Sequence, residues 1–172
     1  PRSVDNWGTT VNFSGAAPKD VITIKSTSTE MLLALGLGNR IVGTAFQDGP
    51  VPAKWEKAAA KLPVLSTQVP SQEAVLAASP DFIYAGWESN FSADGAGTRS
   101  DLQALGVKTY VSPAACQEAA FQPKKLGFTD IFDEIDQVAA IFHVSPSKLI
   151  ASQKKTLASI APDKRKLTAL WF

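Results

Sequence analysis

The chain has very few of the side chains that bind transition metals or carry out nucleophilic chemistry. Its 172 residues include one histidine, one cysteine and one methionine. A metal cage needs several histidine, cysteine or carboxylate ligands in one place, so we expect neither a metal site nor another bound cofactor. The lone Cys116 cannot form an internal disulfide, and a single thiol is typically a small, buried packing residue.

Strong net charge and long apolar runs are also lacking. The chain has 17 Lys and Arg residues against 16 Asp and Glu residues, a net charge of +1. Such a balance produces no long-range field that would attract a phosphate backbone, so nucleic acid is not an expected partner. No run approaches the roughly 20 apolar residues of a membrane span, and residues 1–20 lack the charged-then-apolar order of a signal peptide.

Glycine-rich nucleotide-binding motifs are absent as well. A phosphate loop needs a glycine-rich run that ends in Gly-Lys before Ser or Thr, and the chain has none. The Gly-Leu-Gly stretch at 36–38 follows a helix-like run instead of opening one. It therefore indicates a helix end and not a dinucleotide-binding fingerprint.

The chain does have a regular alternation of strand-like and helix-like segments. Short runs rich in β-branched and aromatic residues are typical of strands buried on both faces. With helices between them, they predict an α/β fold with a mainly parallel sheet and helices on both faces. The predicted strands are 21–24, 41–45, 64–66, 81–86 and 107–112, and the predicted helices are 28–36, 52–60, 71–79 and 98–105.

Capping residues mark the ends of these segments. Thr27 and Glu30 have the spacing of a capping box, and Ser71 is a predicted N-cap. Gly36 and Gly106 stand where helices commonly end with a left-handed residue. These positions support the division into separate helices.

Both ends of the chain differ from the alternating part. VDNWGTTVNFSG predicts a small N-terminal hairpin that turns at Gly8. FTDIFDEIDQVAAIF predicts an amphipathic helix, and SPSKLIASQKKTLASIA predicts a long second one, with Ser145 as N-cap and Pro146 as its first residue. The final LTALWF has strand composition but no partner. We therefore expect the chain to be a fragment of a longer protein.

The hydroxyl run Ser26 to Thr29 follows the first predicted buried strand. In an open parallel sheet, ligands bind beyond the carboxyl ends of the strands, which is where this run lies. Capping explains part of the run, but Ser26 and Ser28 exceed what a cap needs. A nucleophilic role would require a base, and the only histidine, His143, lies at a helix end, where it is typically solvated.

The segment GWESNFSADGAGTRS at 86–100 is a long predicted loop. It begins at the carboxyl end of a strand and places Trp87 and Phe91 among hydrogen-bonding side chains. Loops of this length are commonly functional or disordered, and aromatic groups beside polar ones suit the binding of a small molecule. The alternative is that Trp87 and Phe91 pack under the loop as a satellite core.

Three stretches together resemble the amino-terminal lobe of the solute-binding proteins of bacterial ABC importers for siderophores, haem and cobalamin. They are APKDVITIKSTSTEMLLALGLGNRIVGTA, VPSQEAVLAASPDFIYAG and LQALGVKTYVSP. The resemblance runs from about Ala17 to the long helix. Proteins of this family have two Rossmann-like α/β lobes joined by one long helix; they hold ligand between the lobes and are not enzymes.

The resemblance implies that the chain has three parts. Residues 1–144 would be the N-terminal ligand-binding lobe, 145–166 the long inter-lobe helix and loop, and 167–172 the first strand of a C-terminal lobe missing from this chain. It also implies an extracytoplasmic location, either in the periplasm or lipid-anchored on the outer face of the cell membrane. The expected partners are a small-molecule ligand, an ABC permease and the missing lobe.

The family's docking and ligand positions carry over to particular residues. A family glutamate in the helix before a Pro-Asp strand docks onto arginines of the permease, and the matching residue is Glu73. The ligand positions follow three strands, and receptors for trihydroxamates and catecholates often add an arginine. The resemblance therefore nominates Ser26, Thr27, Ser28, Thr29, Phe46, Gln47, Trp87, Glu88, Ser89, Asn90 and Arg99.

The resemblance implies a siderophore-, corrinoid- or cofactor-like ligand. Relatives that bind zinc or manganese use histidines on these loops, and this chain has none there. As a set, the loops most closely resemble an actinobacterial subgroup assigned as receptors for a deazaflavin coenzyme precursor.

Two other classes of protein stay open from the residues. A small α/β enzyme of chelatase or transferase type could use the same strand-end cleft, but it would need His143 to face the carboxyl ends of the strands. A scaffold lobe would have a disordered segment from Glu88 to Arg99 and no cleft.

Overall fold

The computed structural model of the chain describes residues 3–12, 14–115, 120, 125–161, 164, 165 and 168. Cys116 lies outside these residues, as does the predicted strand 167–172 apart from residue 168. The strands are β1 (Ser3–Asn6), β2 (Thr9–Asn12), β3 (Val21–Ile24), β4 (Ile41–Ala45), β5 (Val64–Ser66), β6 (Phe82–Ala85) and β7 (Lys108–Val111). The helices are α1 (Ser26–Ala34), α2 (Glu56–Ala59), α3 (Gln72–Ala77), α4 (Arg99–Ala104), α5 (Phe128–Ile141) and α6 (Ser147–Ala158).

Strands β3 to β7 form one parallel sheet in the order β5-β4-β3-β6-β7. The chain first moves outward from β3 to β4 and β5, and then crosses back to β6 and β7. The strand order therefore reverses between β3 and β6. In doubly wound sheets, the crevice for a ligand lies beyond the carboxyl ends of the strands at this reversal. The predicted α/β fold with a parallel sheet is confirmed.

The sheet is covered on both faces, because successive residues of a strand point to opposite sides. On one face, buried sheet residues pack against Leu32 of α1 and Val138 of α5. On the other face, they pack against Val75 of α3 and Leu102 of α4. All four residues of β3 and all four of β6 are buried. The continuous apolar runs that predicted these strands arise from this two-sided burial.

Three predicted helix caps are confirmed. The Ser71 Oγ accepts a hydrogen bond from the Ala74 amide at 3.2 Å, which satisfies one of the free amides at the start of α3. Gly36 and Gly106 have φ angles of 76° and 84°. The Leu37 amide donates to the Leu32 carbonyl at 2.8 Å, and the Val107 amide donates to the Leu102 carbonyl at 2.9 Å. Each of these bonds closes a Schellman motif.

The predicted capping box of Thr27 and Glu30 is wrong. Helix α1 begins at Ser26 with Lys25 in the N-cap position, and no side chain of the helix caps it. The reason is that β3 passes into α1 through Lys25 alone. Three of the four hydroxyl residues consequently turn inward instead of serving as a cap.

The two predicted C-terminal helices are present as α5 and α6. Helix α5 buries one stripe against the sheet, whereas none of the residues of α6 is buried. Pro146 is the N-cap of α6 and Ser147 its first residue, so the predicted start is wrong by one position. No helix in the described part of the chain is both long and apolar enough to cross a membrane.

The predicted N-terminal hairpin is present and is fastened to the sheet. Strands β1 and β2 pair antiparallel. Trp7 and Gly8, at its turn, both have positive φ angles, of 64° and 72°, as the common two-residue hairpin turn requires. The Asn6 side-chain amide donates to the Val111 carbonyl and accepts from the Val111 amide, each at 2.8 Å. Asn6 thus attaches the hairpin to β7.

Helix α5 carries a buried carboxyl group, that of Glu134. The Tyr84 hydroxyl donates to Glu134 Oε1 at 2.5 Å, and Glu134 is 6% exposed. Burial raises the pKa of Glu134 above its ordinary value of 4.5, although hydrogen bonds from Tyr84 and Ser112 oppose the change. A raised pKa means that the folded protein binds this proton more tightly than the unfolded chain, so stability falls as the pH rises above the unfolded value.

The variant Glu134→Gln tests this pH dependence. Glutamine keeps an oxygen for the Tyr84 hydroxyl but has no charge to bury. From pH 4.5 upward, the wild type should lose stability relative to the variant, by about 1.4 kcal/mol for each unit by which the pKa is raised. Urea midpoints between pH 4 and 8 measure the difference, with exposed Glu56→Gln as control. Parallel curves for the wild type and Glu134→Gln would contradict the expectation.

Candidate functional site

Residues from three neighbouring strands meet at the carboxyl edge of the sheet. Lys25 follows β3, Phe46 follows β4, and Gly86 and Trp87 follow β6. Because β3 lies between β4 and β6, these three strand ends form a row next to the reversal of strand order. The structure therefore brings together three of the loops that the sequence nominated.

Lys25 has a backbone conformation that few residues other than glycine adopt. Its φ and ψ angles are 82° and 152°, a region that costs of order 1–3 kcal/mol for a residue with a side chain. Gly86 makes room for it: a Cβ atom on Gly86 would lie 2.7 Å from the Lys25 Cβ and 2.9 Å from the Thr27 Oγ1. The end of β6 is thus shaped around Lys25.

The side chain of Lys25 is buried although it carries a charge. The residue is 3% exposed, and its Nζ lies 3.6 Å from the ring centroids of both Phe46 and Trp87. The same atom donates to Asp48 Oδ2 at 3.0 Å. Aromatic faces and a carboxylate are the groups that stabilise a cation removed from water. We call Phe46, Trp87 and Asp48 around the Lys25 ammonium group the lysine cage.

The two rings of the lysine cage meet edge to face, with the Lys25 ammonium group against both of them. Their centroids are 6.5 Å apart and their planes meet at 73°. Phe46 also has a positive φ, 48°, so two of the four residues are in strained backbone conformations. Trp87 is 46% exposed. The cage therefore presents an aromatic surface to solvent and conceals the ammonium group behind it.

Asp48 links the lysine cage to the start of α1. Its Oδ1 accepts from the Ser26 amide at 3.2 Å, while Oδ2 binds Lys25. Partial burial raises the pKa of Asp48, but the hydrogen bonds from Lys25 and Ser26 outweigh this effect and lower it to about 2. Asp48 thus supplies, from a neighbouring loop, the acceptor that α1 lacks in its own sequence.

The hydroxyl run does not form a polar surface. Thr27 is its one exposed member, and the Ser26 Oγ accepts from the amides of Asp48 and Gly49 at 2.9 and 3.1 Å. Thr29 is buried, with its hydroxyl 2.7 Å from that of Thr23. Ser28 is fully buried, and its Oγ has no partner within the described residues. Most of the run therefore holds loops together beneath the site.

The segment after β6 is folded. The buried Asn90 accepts from the Trp87 amide through Oδ1 at 3.2 Å and closes a short 3₁₀ turn over Glu88–Asn90. Phe91 packs against the core, as the satellite-core alternative predicted for it, whereas Trp87 is exposed. This order contradicts the disorder that a scaffold lobe would have shown.

The remaining nominated residues follow the same strand ends as the residues of the lysine cage, and we call them, with Thr27, the rim. Glu88 is half-buried and Ser89 is exposed. The Gln47 Nε2 donates to the Ala45 carbonyl at 3.0 Å. These side chains and Thr27 are further polar groups that follow β3, β4 and β6, the strands that carry the lysine cage.

Arg99 binds at the hairpin and not at the lysine cage, although its charge interacts with that of the nominated Glu88. Its guanidinium group donates to the backbone and side chain of Asn6 and to the hydroxyl and carbonyl of Thr109. Burial lowers its pKa to about 10, although Glu88 and Asp5 oppose the change. The reason is position: Arg99 is the first residue of α4 and is directed toward the hairpin, where it helps to attach β1 to β7.

His143 lies at the opposite edge of the sheet. Phe142, which precedes it, packs on Phe82 with ring centroids 5.7 Å apart, and Phe82 is the first residue of β6. The end of α5 is therefore at the amino edge of the strands. This placement contradicts the requirement of the enzyme alternative that His143 face the carboxyl ends.

An apolar groove of about 320 Å³ lies elsewhere, between α1, α5 and α6. Met31, Phe128 and Leu149 are among its lining residues, and Thr27, at the start of α1, also contributes to it. It follows from the shallow packing of α6, which buries none of its residues. Most of its lining is apolar, and its polar lining residues are Thr27, Glu30, Gln153 and Thr156.

Two residues of the lysine cage were not nominated from the sequence. Lys25 and Asp48 lie on the predicted ligand-facing loops, but nothing in their local sequence indicates a buried ion pair. The signal that could have found them is the pairing of a lysine immediately after one buried strand with an aspartate after its neighbour. Because parallel strand ends share an edge, such residues lie within reach of each other.

Comparisons with known proteins support the class of fold. No protein-family model and no curated protein matches the chain. Among solved structures, a periplasmic binding protein from Veillonella parvula is 27% identical with a TM-score of 0.75, and the match covers 91% of this chain and 51% of that one. The fold is therefore that of one lobe of a periplasmic binding protein.

Two further structures share the fold at lower identity. An ABC-type Fe³⁺-hydroxamate transport system from Saccharomonospora viridis is 24% identical with a TM-score of 0.75, over 92% of this chain and 55% of that one. The heme binding protein HmuT is 19% identical with a TM-score of 0.57, over 92% and 45%. The chain thus spans about half the length of the solved structures that it matches.

The variant Gly86→Ala tests whether the end of β6 is shaped around Lys25. Its backbone conformation permits alanine, but the added methyl group would meet the Lys25 Cβ at 2.7 Å. We expect a loss of about 1–3 kcal/mol in the free energy of unfolding, as for other overpacked sites, measured by urea titration. The control is Gly49→Ala on the same edge, where the nearest atom is 4.0 Å away. Equal stability of the two variants would contradict this packing.

Proposed function

We propose that the chain is the N-terminal lobe of the solute-binding component of an ABC importer. The observation that carries the proposal is 27% identity over 91% of the chain with about half of a periplasmic binding protein. The aromatic surface at the reversal of strand order supports it, because this is where doubly wound sheets bind ligands. In this role the lobe binds and releases a solute and catalyses no reaction.

The lysine cage and its rim form the proposed half of the ligand cleft. Trp87 and Phe46 supply apolar contact, and Thr27, Gln47, Glu88 and Ser89 supply hydrogen bonds at the rim. Ser26, Ser28, Thr29 and Asn90 support these loops from below, since all four are buried. Arg99 is left out of the proposed cleft because its donors bind Asn6 and Thr109.

A second lobe would close the cleft. The matched structures are about twice as long as this chain, so residues 1–144 would be one lobe and 145–166 the connection to the next. Helix α6 fits that connection, because α5 ends at the amino edge of the sheet and α6 follows after a short turn. A half-cleft covers less of a ligand than a closed one, so the chain alone should bind weakly.

The proposed ligand is a siderophore-, corrinoid- or cofactor-like small molecule. Two of the matched proteins are a Fe³⁺-hydroxamate transport system and a heme binding protein. A closer assignment, to receptors for a deazaflavin coenzyme precursor, rests on the sequence resemblance alone. All of these solutes are large enough to contact Trp87 and both lobes together.

The proposed location is outside the cytoplasm, in the periplasm or anchored to the outer face of the membrane. There the lobe would meet its permease through Glu73. This residue is exposed in the first turn of α3, where the helix dipole favours a carboxylate. Its exposure leaves the side chain accessible to a partner.

The variant Trp87→Ala tests the cleft. The chain would be produced with its proposed C-terminal lobe and titrated calorimetrically with ferrioxamine B, hemin, cyanocobalamin and flavin mononucleotide. We expect one class to bind, and Trp87→Ala to weaken that binding by about tenfold or more, because a central aromatic contact contributes upward of 1 kcal/mol. Trp55→Ala, outside the lysine cage, is the matched control. Unchanged affinity in folded Trp87→Ala would reject the site.

The variant Glu73→Lys tests the docking proposal. Reversing the charge should reduce uptake of the identified solute by cells while leaving its affinity for the binding protein unchanged. The control is Glu56→Lys, an exposed carboxylate in the first turn of α2. Equal uptake for the two variants would mean that Glu73 has no role in docking.

A further inference from the structure

We propose that Lys25 is a positioning residue of the cleft: its ammonium group is an internal ligand of a cation site formed by Phe46, Trp87 and Asp48, and it fixes how Trp87 faces the cleft. The inference goes beyond solute binding because it assigns a site for a primary ammonium group. Its test requires no solute, so it can fail or succeed independently of the proposed function.

The geometry of the lysine cage is that of an ammonium-binding site. One nitrogen lies 3.6 Å from two ring centroids and 3.0 Å from a carboxylate oxygen. The rings meet at 73°, so both can face a single cation. Aromatic faces are a recurrent feature of sites for ammonium groups, and the carboxylate adds the opposite charge that a buried cation requires.

The Lys25 ammonium group is buried, whereas Trp87, one of the residues that surround it, is exposed. Lys25 is 3% exposed and Trp87 is 46% exposed. The face of the Trp87 indole that lies over Nζ is therefore buried. The rest of the ring is exposed and available to a solute. The Trp87 backbone is held by Asn90, while its ring is held by Lys25 and the edge contact with Phe46. Removing the ammonium group should therefore free the ring without freeing the backbone.

The backbone indicates that the position of Lys25 is selected rather than incidental. A lysine that only needed to reach solvent could keep an ordinary conformation, because its flexible stem allows the charge to do so. Here φ is 82°, and Gly86 leaves space that a methyl group would fill. Both features direct the side chain under Trp87 and away from water.

Asp48 makes the site selective for a cation. Its Oδ1 accepts from the Ser26 amide and its backbone N–H donates to the Ser26 Oγ, and these two bonds position the other carboxylate oxygen at Nζ. The low pKa of this carboxyl, about 2, keeps it ionised at neutral pH. A neutral group of the same shape as the lysine side chain would leave this carboxylate without its partner.

The experiment replaces the side chain by a free molecule. Lys25→Gly removes the side chain and suits the positive φ, and n-butylammonium has the same four carbons and nitrogen. The indole N–H resonance of Trp87, assigned with Trp87→Phe, reports the ring. We expect the resonance to move toward that of a free indole in Lys25→Gly, and n-butylammonium to return it saturably, at a concentration about tenfold or more below that of n-butanol.

Control variants decide the remaining outcomes. The double variant Lys25→Gly with Asp48→Asn should lose the response to n-butylammonium, and the wild type should never show it. Lys54→Ala removes an exposed lysine that lies 3.9 Å from the Trp55 ring, and it should leave the Trp87 resonance in place. If Lys25→Gly does not fold, Lys25→Arg should preserve the resonance and Lys25→Met should shift it.

Three results would overturn the inference. The first is a wild-type Trp87 resonance in folded Lys25→Gly or in Lys25→Met. The second is an equal response to n-butanol and n-butylammonium, which would mean that the cavity selects shape and not charge. The third is a shifted resonance that n-butylammonium does not return, since the ring would then depend on the backbone of Lys25 and not on its charge.

Discussion

The ammonium group of Lys25 connects the three strand ends on which the proposed site depends. It joins β3, which carries it, to Phe46 and Asp48 after β4 and to Trp87 after β6. The backbone ladder continues one residue past each strand, since the Lys25 N–H donates to the Ala45 carbonyl at 3.0 Å and the Gly86 N–H to the Ile24 carbonyl at 2.8 Å. Beyond these bonds, side chains fix the relative positions of the loops. A single cation with three partners does this with one residue.

A lysine at position 25 makes two unfavourable contributions to the free energy of folding. The backbone strain is of order 1–3 kcal/mol, and removing an ammonium group from water costs several kcal/mol unless it is paired. The carboxylate of Asp48 and two cation–π contacts of up to about 2 kcal/mol each oppose these terms. The balance depends on all three partners at once, so the rings, the carboxylate and Gly86 form one unit. A change in any of them alters the fit of the others.

Much of the fold could be predicted from the sequence, because local patterns determine it. Strands β3, β4 and β5 have the predicted bounds, since buried parallel strands are continuous apolar runs. The helix ends at Gly36 and Gly106 could also be predicted, because the turns there require a positive φ, which glycine adopts readily. In these cases the deciding residues are neighbours in the chain.

The site could be predicted only as a set of loops, because contacts between distant residues decide which side chains point where. The Thr27 cap failed since Asp48, 21 positions later, supplies the acceptor for α1. Arg99 turns to Asn6, which is 93 residues away. The direction of the Lys25 side chain depends on its own φ and on Gly86, which follows β6. The Lys25 ammonium group is buried and paired, so it is not presented to a solute, whereas the Asp48 side chain is 40% exposed. Discrimination among solutes would then come from this carboxylate, from the rim side chains and from the proposed opposing lobe.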